Sequence, residues 1–336
     1  MATGDGGGTT GRRGALGAAA AAVFGMAAGP AAAQQTQPPW PQRPVRVVIP
    51  YAPGGGADTV GRILFGKLGE LLDANFVIEN RGGGAGTIGA AVAAQAAPDG
   101  YTVLHDATAL SVNPALFEGR LPYDTARAFR PVFLAGRVPN LLLVHPDVPA
   151  RSVAEVVALA KAAPGGLDVA SSGNGTVQHM ALEMFARAAG VKLNHIPYRG
   201  GGPALTDLIA GQVRFFFSNA SASTGHARAG RVRAVAHTGS KPIAAFPDLP
   251  AVADTLPGFE AYEWNGVLVP AGTPEPVVRR LSEGLNAAIR DPAVAERLTG
   301  LNVETAPNTP AEFAAFLSAE TEKWGRVVRQ SGIRPD

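Results

Sequence analysis

The 336-residue chain contains no cysteine. Disulfides, thiolate metal sites and a cysteine nucleophile are thereby excluded. Charge is sparse as well, 17% of residues, and neither sign dominates: 29 Lys and Arg stand against 27 Asp and Glu. No basic run is interleaved with aromatics, which make up 7% of the chain, so nucleic acid is set aside as a partner. The apolar stretch from Gly14 to Ala28 is shorter than the roughly 20 residues a membrane-spanning helix needs. It reads instead, with Arg12-Arg13 before it and Pro30-Ala31-Ala32-Ala33 after it, as an export signal over 1–33. Thr10 to Leu16 is a loose twin-arginine pattern, and an ordinary Sec signal also begins with positive charge, so export is expected by either route. Lipid anchoring of an exported bacterial protein needs a cysteine at the cleavage site, so a soluble product is expected. Residues 34–43, rich in Gln and Pro, read as a disordered lead-in.

A hydrophobic fraction of 46% suits a large core, and the length suits two domains better than one. The stretch that organises the reading is Val45 to Asp58. Val45, Val47, Val48 and Ile49 form a short apolar run fit for a buried parallel strand, and Pro50 ends it. From Val60 the apolar residues recur at Ile63, Leu64, Leu68, Leu71 and Leu72, the spacing of a helix packed on one face, with Asp58 as its expected N-cap. Gly54-Gly55-Gly56 between strand and helix permits close backbone approach. The free N–H groups of the first helical turn carry partial positive charge, and such a mouth receives an anion.

The same plan recurs. Phe76–Asn80 is a strand running into Arg81-Gly82-Gly83-Gly84-Ala85-Gly86-Thr87-Ile88-Gly89 and a helix to Ala97. Tyr101–Leu104 is a third strand, with Ala107–Pro114 a polar loop at its end that carries Thr108 and Ser111. In the second half Leu141–Val144 is a strand and Val153–Ala163 a helix capped by Ser152. Val169-Ala170 enters the Ser171–Thr176 loop and a further helix. Leu193–Tyr198, Arg199–Pro203 and Ala204–Ala210 repeat strand, glycine loop and helix, and Val213–Phe217 is a strand ending at Ser218-Asn219. Val267–Pro270 and, from Pro276, two helices broken at Asp291-Pro292 and by the segment up to Pro310 finish the chain. Alternating strands and helices imply parallel sheets, with ligands bound beyond the carboxyl ends of the strands. A discontinuous bilobed α/β protein follows: 44–138 plus 263–336 as the first lobe, 139–262 as the second, with hinge strands near Val138–Asn140 and Tyr262–Gly266.

Several motifs compete. Gly84-Ala85-Gly86-Thr87-Ile88-Gly89 matches G-x-G-x-x-G, opens a helix after a strand, and has Asp106 twenty residues past Gly86, which supports an exported NAD(P)-dependent oxidoreductase as the rival reading. Recurrence of similar Gly/Ser loops in the other half favours anion cradling without a nucleotide. His179 and Glu183 have i, i+4 metal-ligand spacing but lack a further ligand nearby, so no metal is expected and His179 reads as a polar group at the cleft rim. Ser171 and Ser172 follow a strand without a G-x-S-x-G elbow, so they read as donors to a ligand and not as nucleophiles.

The set Tyr51–Asp58, Glu79–Gly86, Ser171–His179, Tyr198–Ala204 and Pro270–Pro274, following an export signal, resembles the Bug family, the TctC-like periplasmic solute receptors of tripartite tricarboxylate transporters. The resemblance runs from about Pro44 to the C-terminus. It implies a Venus-flytrap fold without catalysis or cofactor, and capture of a small organic carboxylate by the 53–58 and 82–89 loops. It also implies delivery to the transporter's membrane components; a sensor handing its ligand state to a membrane kinase shares the fold. A monomer is expected. The expected ligand contacts are Tyr51, Pro53, Gly54, Gly55, Gly56, Asp58, Gly84, Ala85, Gly86, Thr87, Thr108 and Ser111 from the first lobe. Those from the second are Ser171, Ser172, Gly173, Thr176, His179, Tyr198, Ser218 and Asn219. Side chains of the second lobe, His179 and Ser218 among them, are expected to choose between carboxylates. Arg214 and Ser218 stand where relatives often carry acids, and His105 where an apolar residue is commoner.

Overall fold

The computed structural model describes residues 40–331 and 333–334. The expected export signal and the first six residues of the expected lead-in lie outside them. Trp40–Arg43, assigned to the disordered lead-in by composition, are held in place. The Trp40 ring meets Phe76 and Tyr101, and Arg43 pairs with Asp99 and lies 4.0 Å over the Tyr101 ring. One aromatic anchor outweighs a Pro-rich composition here.

The first half runs β1 (Val45–Ile49), α1 (Gly56–Leu72), β2 (Phe76–Asn80), a 3-10 turn (Gly84–Gly86), α2 (Thr87–Ala94), β3 (Thr102–Ala107), α3 (Ala109–Phe117) and α4 (Thr125–Ala128). A 16-residue strand, β4 (Phe129–Val144), leads to α5 (Val153–Ala162), β5 (Leu167–Ser171), α6 (Val177–Ala189) and β6 (Leu193–Pro197). Then come α7 (Gly201–Ile209), β7 (Phe215–Asn219), α8 (Ala220–Arg228) and β8 (Arg233–His237). The chain ends with β9 (Tyr262–Pro270), α9 (Glu275–Arg290), α10 (Pro292–Gly300) and α11 (Pro310–Ser331).

Each lobe has the same sheet plan. In the first the order is β2-β1-β3-β9-β4, with β1 parallel to β2 and β3, and β9 antiparallel to β3 and β4. In the second, β5 lies parallel to β6 and β7, and β4 is antiparallel to β7 on one side and β8 on the other. β4 belongs to both lobes: Pro139 faces Tyr262 of β9, whereas Asn140 faces Asn219 of β7. This order makes a topological switch point between β1 and β3 and another between β5 and β7.

Three expectations are corrected. Ala107–Pro114 is not a loop: β3 continues to Ala107 and α3 follows, with Pro114 inside it. Leu110, Val112 and Leu116 are buried, and that packing outweighs the one backbone hydrogen bond a helical proline forfeits. The strand read at Leu141–Val144 begins twelve residues earlier, at Phe129. Pro131, Gly136 and Pro139 lie within it: in the first lobe β4 is an edge strand whose ladder shifts register between Pro131 and Phe133 and between Leu134 and Gly136. Edges and bulges are where proline is tolerated. Asp58 is not the N-cap of α1: Gly55 is, and Asp58 lies within the first turn. In addition α8 and β8 are elements not assigned from the sequence, and the expected breaks at Asp291-Pro292 and before Pro310 divide the end of the chain into three helices.

The core behind the cleft includes Val47, Ile49, Leu64 and Val103. A satellite cluster holds Trp264 against Phe313 and Phe316, at ring separations of 5.8 and 6.1 Å. Phe313 is fully buried and lies over Gly266, where an added Cβ would be 2.2 Å from its ring. Gly266→Ala should therefore lower stability by about 1–3 kcal/mol through overpacking, with Phe313→Leu in the same chain returning part of the loss. Urea unfolding of the two variants checks this; an unchanged midpoint for Gly266→Ala would show that the ring moves without cost.

Candidate functional site

Five helix N-termini meet where the switch points of the lobes face each other. The space between them is lined by Gly55, Gly56 and Ala57 of α1, by Ala107, Thr108 and Ala109 at α3, and by Thr176, Val177 and Gln178 at α6. Gly201 of α7, Asn219 before α8, Tyr51, Ser172 and Glu263 complete it. The enclosed free volume is about 20 Å³, the room of one water molecule. Neither Lys nor Arg lines this inner compartment. Thr176 and Asn219 cap their helices with their own side chains, whereas α1, α3 and α7 have no side-chain cap. Uncapped first-turn amides and the helix dipoles give the compartment a positive character without a cationic side chain.

An outer compartment of about 370 Å³ adjoins it, sharing Tyr51 and Ser172. It is lined by Gly82–Gly86 and Ile88 from the second glycine loop, Phe117, Gly173 and Asn174, and Pro197–Arg199. The lobes touch between the compartments. The Ala52 N–H donates to the Arg199 carbonyl (3.2 Å), and Gly202 lies so near the Pro53 carbonyl that a Cβ there would be 2.3 Å from its oxygen. A Cβ on Gly56 would stand 2.4 Å from the Asn219 side chain, so α1 meets the second lobe closely only because position 56 is glycine.

Of the residues singled out from the sequence, Tyr51, Gly55, Gly56, Thr108, Ser172, Thr176 and Asn219 line the inner compartment. Tyr51, Gly84, Ala85, Gly86, Ser172, Gly173 and Tyr198 line the outer one. Pro53, Gly54, Asp58, Thr87, Ser111, Ser171, His179 and Ser218 line neither. Asp58 instead fastens the first glycine loop: its carboxylate accepts from the Gly54 N–H, from Arg62 and from the Asn80 amide, which also donates to the Tyr51 carbonyl, all at 2.9 Å. Burial pushes its pKa up, but these donors together hold it below the ordinary value. Ser111 donates to the Thr108 carbonyl (2.7 Å), and the Ser171 hydroxyl is engaged with Gly173 and His195. Ser218 lies buried within β7.

His179 is not at the cleft rim. Thr176 is the N-cap of α6 and its hydroxyl accepts from the His179 N–H at 3.4 Å, while the His179 side chain lines neither compartment. The His179 ring stacks on His195 (3.7 Å between centroids), accepts from the Gly175 N–H at 3.2 Å, and lies 3.6 Å from Glu183. Its neighbour Gln178 faces the inner compartment in its stead. Among the described residues no group of three His, Cys, Asp or Glu is arranged for a metal.

Asp106, the acid on which a ribose contact would have depended, is buried at the cleft floor, accepting from Tyr51 Oη (3.0 Å) and the Ala107 N–H (2.7 Å). This burial removes the main support for the dinucleotide reading. His105, where an apolar residue was commoner, is fully buried edge-on to Phe65, and burial lowers its pKa to about 4, so it packs as a neutral ring. Sequence reasoning missed Gln178 and Glu263. The one available signal was an acid flanked by Tyr262 and Trp264 in an expected hinge strand.

Two α/β lobes joined through shared strands, with their switch points opposed across a polar cleft, define a periplasmic-binding-protein fold. The chain belongs to the TctC family, described as the tripartite tricarboxylate transporter family receptor, whose family model matches residues 60–333. It is 38% identical over 291 residues to a UPF0065 protein in the tcbD-tcbE intergenic region of Pseudomonas sp. (strain P51), covering 86% of each chain. It is 33% identical to Protein BugT of Bordetella pertussis (strain Tohama I), covering 88% of this chain and 91% of that one. Among solved structures, the periplasmic binding protein BugD is similar with TM-score 0.85 and 33% identity, over 88% of this chain and 99% of that chain. A protein of R. palustris with adipate is similar at 0.85 and 32%, over 88% of this chain and 100% of the other. MatC from Rhodopseudomonas palustris with bound malate is similar at 0.81 and 31%, over 86% and 100%. The family is one of solute receptors, and among the described residues no helix is long and apolar enough to cross a membrane.

Burial raises the Asp106 pKa from 3.8 to about 7, against the hydrogen bonds from Ala107 and Tyr51 and with a further push from Glu263. Between those two values the folded state holds a proton that the unfolded chain has lost. The stability Asp106 contributes is complete below about pH 4 and disappears as pH rises through 7. Asp106→Asn should therefore gain on the wild type by an order of a few kcal/mol between about pH 4 and 8, read from urea unfolding across that range. A difference constant with pH would mean that Asp106 titrates normally in the fold.

Proposed function

We propose that this protein is a periplasmic receptor that captures a small organic carboxylate between its lobes and delivers it to the membrane components of a tripartite tricarboxylate transporter. The observation that carries the reading is the convergence of five helix N-termini on a compartment with no Lys or Arg in its lining. Backbone donors hold an anion there, and the preorganised dipoles cost no side-chain ordering. The similar proteins with adipate and with malate support a carboxylate of that size. The family, a transporter receptor family, supports the delivery step and the compartment.

The lobes in this reading are 44–138 plus 263–336 and 139–262, and they open and close about 138–140 and 262–266. The change of β4 partner between Pro139 and Asn140 supports those limits. An inner volume of about 20 Å³ supports movement too, since a carboxylate enters it only when the lobes part.

The first test is a thermal-shift and calorimetric screen of organic acids. An acid at a hundred times its dissociation constant should add about 2.7 kcal/mol to stability. In the second test, Gly56→Ala should weaken binding at least about tenfold, because the added methyl meets Asn219 when the lobes come together. Arg81, half exposed and paired with Glu79, should cost less than about threefold when changed to Ala. Calorimetry on both variants decides. Loss of binding in Arg81→Ala alone would replace the backbone cradle with a cationic one.

A further inference from the structure

Gln178 and Glu263 stand together in the wall of the inner compartment. Both are buried, with 1% and 7% of their surface exposed. A chain of hydrogen bonds fixes which atoms they present. Asn140 Nδ2 donates to the Ala261 carbonyl (3.3 Å), which turns its Oδ1 toward Gln178. Gln178 Nε2 donates to that Oδ1 (2.9 Å) and to Glu263 Oε2 (2.6 Å). Both amide hydrogens are then used, and Oε1 is the atom left over. It is buried and receives no hydrogen bond from any described group. Glu263 also accepts from Asn265 Nδ2 at 3.3 Å and is approached by the Asn219 side-chain amide, and a carboxylate has lone pairs for more.

We propose that Gln178 and Glu263 make this receptor selective for carboxylates that carry a hydrogen-bond donor, hydroxyl or ammonium, on the carbon beside the carboxylate. The inference rests on the carboxylate reading above. An unsubstituted acid brings only acceptors, so against Gln178 Oε1 and Glu263 it leaves buried lone pairs facing one another. A hydroxyl or ammonium group supplies the missing hydrogens. Donor and carboxylate must be neighbours because the helix mouths and the Gln178–Glu263 pair line one compartment of about 20 Å³. The adipate and malate of the similar structures differ in this very feature, so family membership alone does not decide it.

The test is calorimetry with matched sets: succinate, L-malate and L-aspartate; glutarate, 2-hydroxyglutarate and L-glutamate; propionate, L-lactate and L-alanine. In whichever set binds, a donor-bearing member should bind at least about tenfold tighter than the plain acid. Gln178→Met should shrink that ratio to within about threefold. Glu263→Gln should cost an ammonium ligand about tenfold and a hydroxyl ligand much less. If the pair only fastened α6 to the crossing strands β4 and β9, both variants would melt earlier and keep the wild-type ranking, and that result overturns the proposal. So does a plain acid that binds wild-type protein as tightly as its partners, a comparison that stands even where a variant fails to fold. If no acid in any set binds, the carboxylate reading itself falls and takes this inference with it.

Discussion

The structure depends on how the charge of uncapped helix ends is accommodated. Five helices point their N-termini at one small volume, and partial positive charges of like sign repel unless something negative lies among them. Within the protein the helix ends are met by buried acceptors at the cleft floor and rim: Asp106 under Tyr51, Glu263 against Gln178, and Asn219 and Thr176 capping their own helices. Burial raises the pKa of both Asp106 and Glu263, so desolvation outweighs the donors that surround them. A site of this kind is poised toward an incoming anion, because burial disfavours the charge of its own acids.

The duplicated sheet plan is what gathers those helix ends. Strand order β2-β1-β3 in one lobe and β6-β5-β7 in the other puts a switch point in each, and β4, shared by both, sets the two switch points face to face. Glycine then sets how near they come. Gly56 beside Asn219 and Gly202 beside the Pro53 carbonyl have no room for a methyl group. Besides the Ala52–Arg199 contact across the cleft, the loops are held from behind: Asp58 ties Gly54, Arg62 and Asn80 together, and Asn113 Nδ2 donates to the Ala85 carbonyl at 2.9 Å.

Much of this was open to reading from local pattern. The run Val45–Ile49, the amphipathic spacing after Val60, the recurring strand–glycine–helix units and the ordered loop motifs led to the bilobed α/β fold and the family, because buried parallel strands and one-faced helices write their environment into residue spacing. Both glycine loops line the cleft for the same reason: a close backbone approach needs glycine wherever it falls in the chain.

What the sequence alone could not decide were matters of partnership. Nothing local around Pro131 and Pro139 says that β4 is an edge strand in the first lobe, and Pro114 read as loop because burial of Leu110, Val112 and Leu116 is a property of the packed molecule. Whether His179 or Gln178 turns to the cleft depended on how α6 packs, with His179 stacked on His195 and Gln178 bonded to Asn140 and Glu263. Glu263 and Gln178 lie 85 positions apart, and only the crossing of β4 and β9 beneath α6 joins them. Residue spacing determines what a segment buries; which distant segment it buries against, and so which polar atoms are left facing the cleft, is decided by the tertiary structure, since hydrogen-bond satisfaction is accounted over the whole fold and not along the chain.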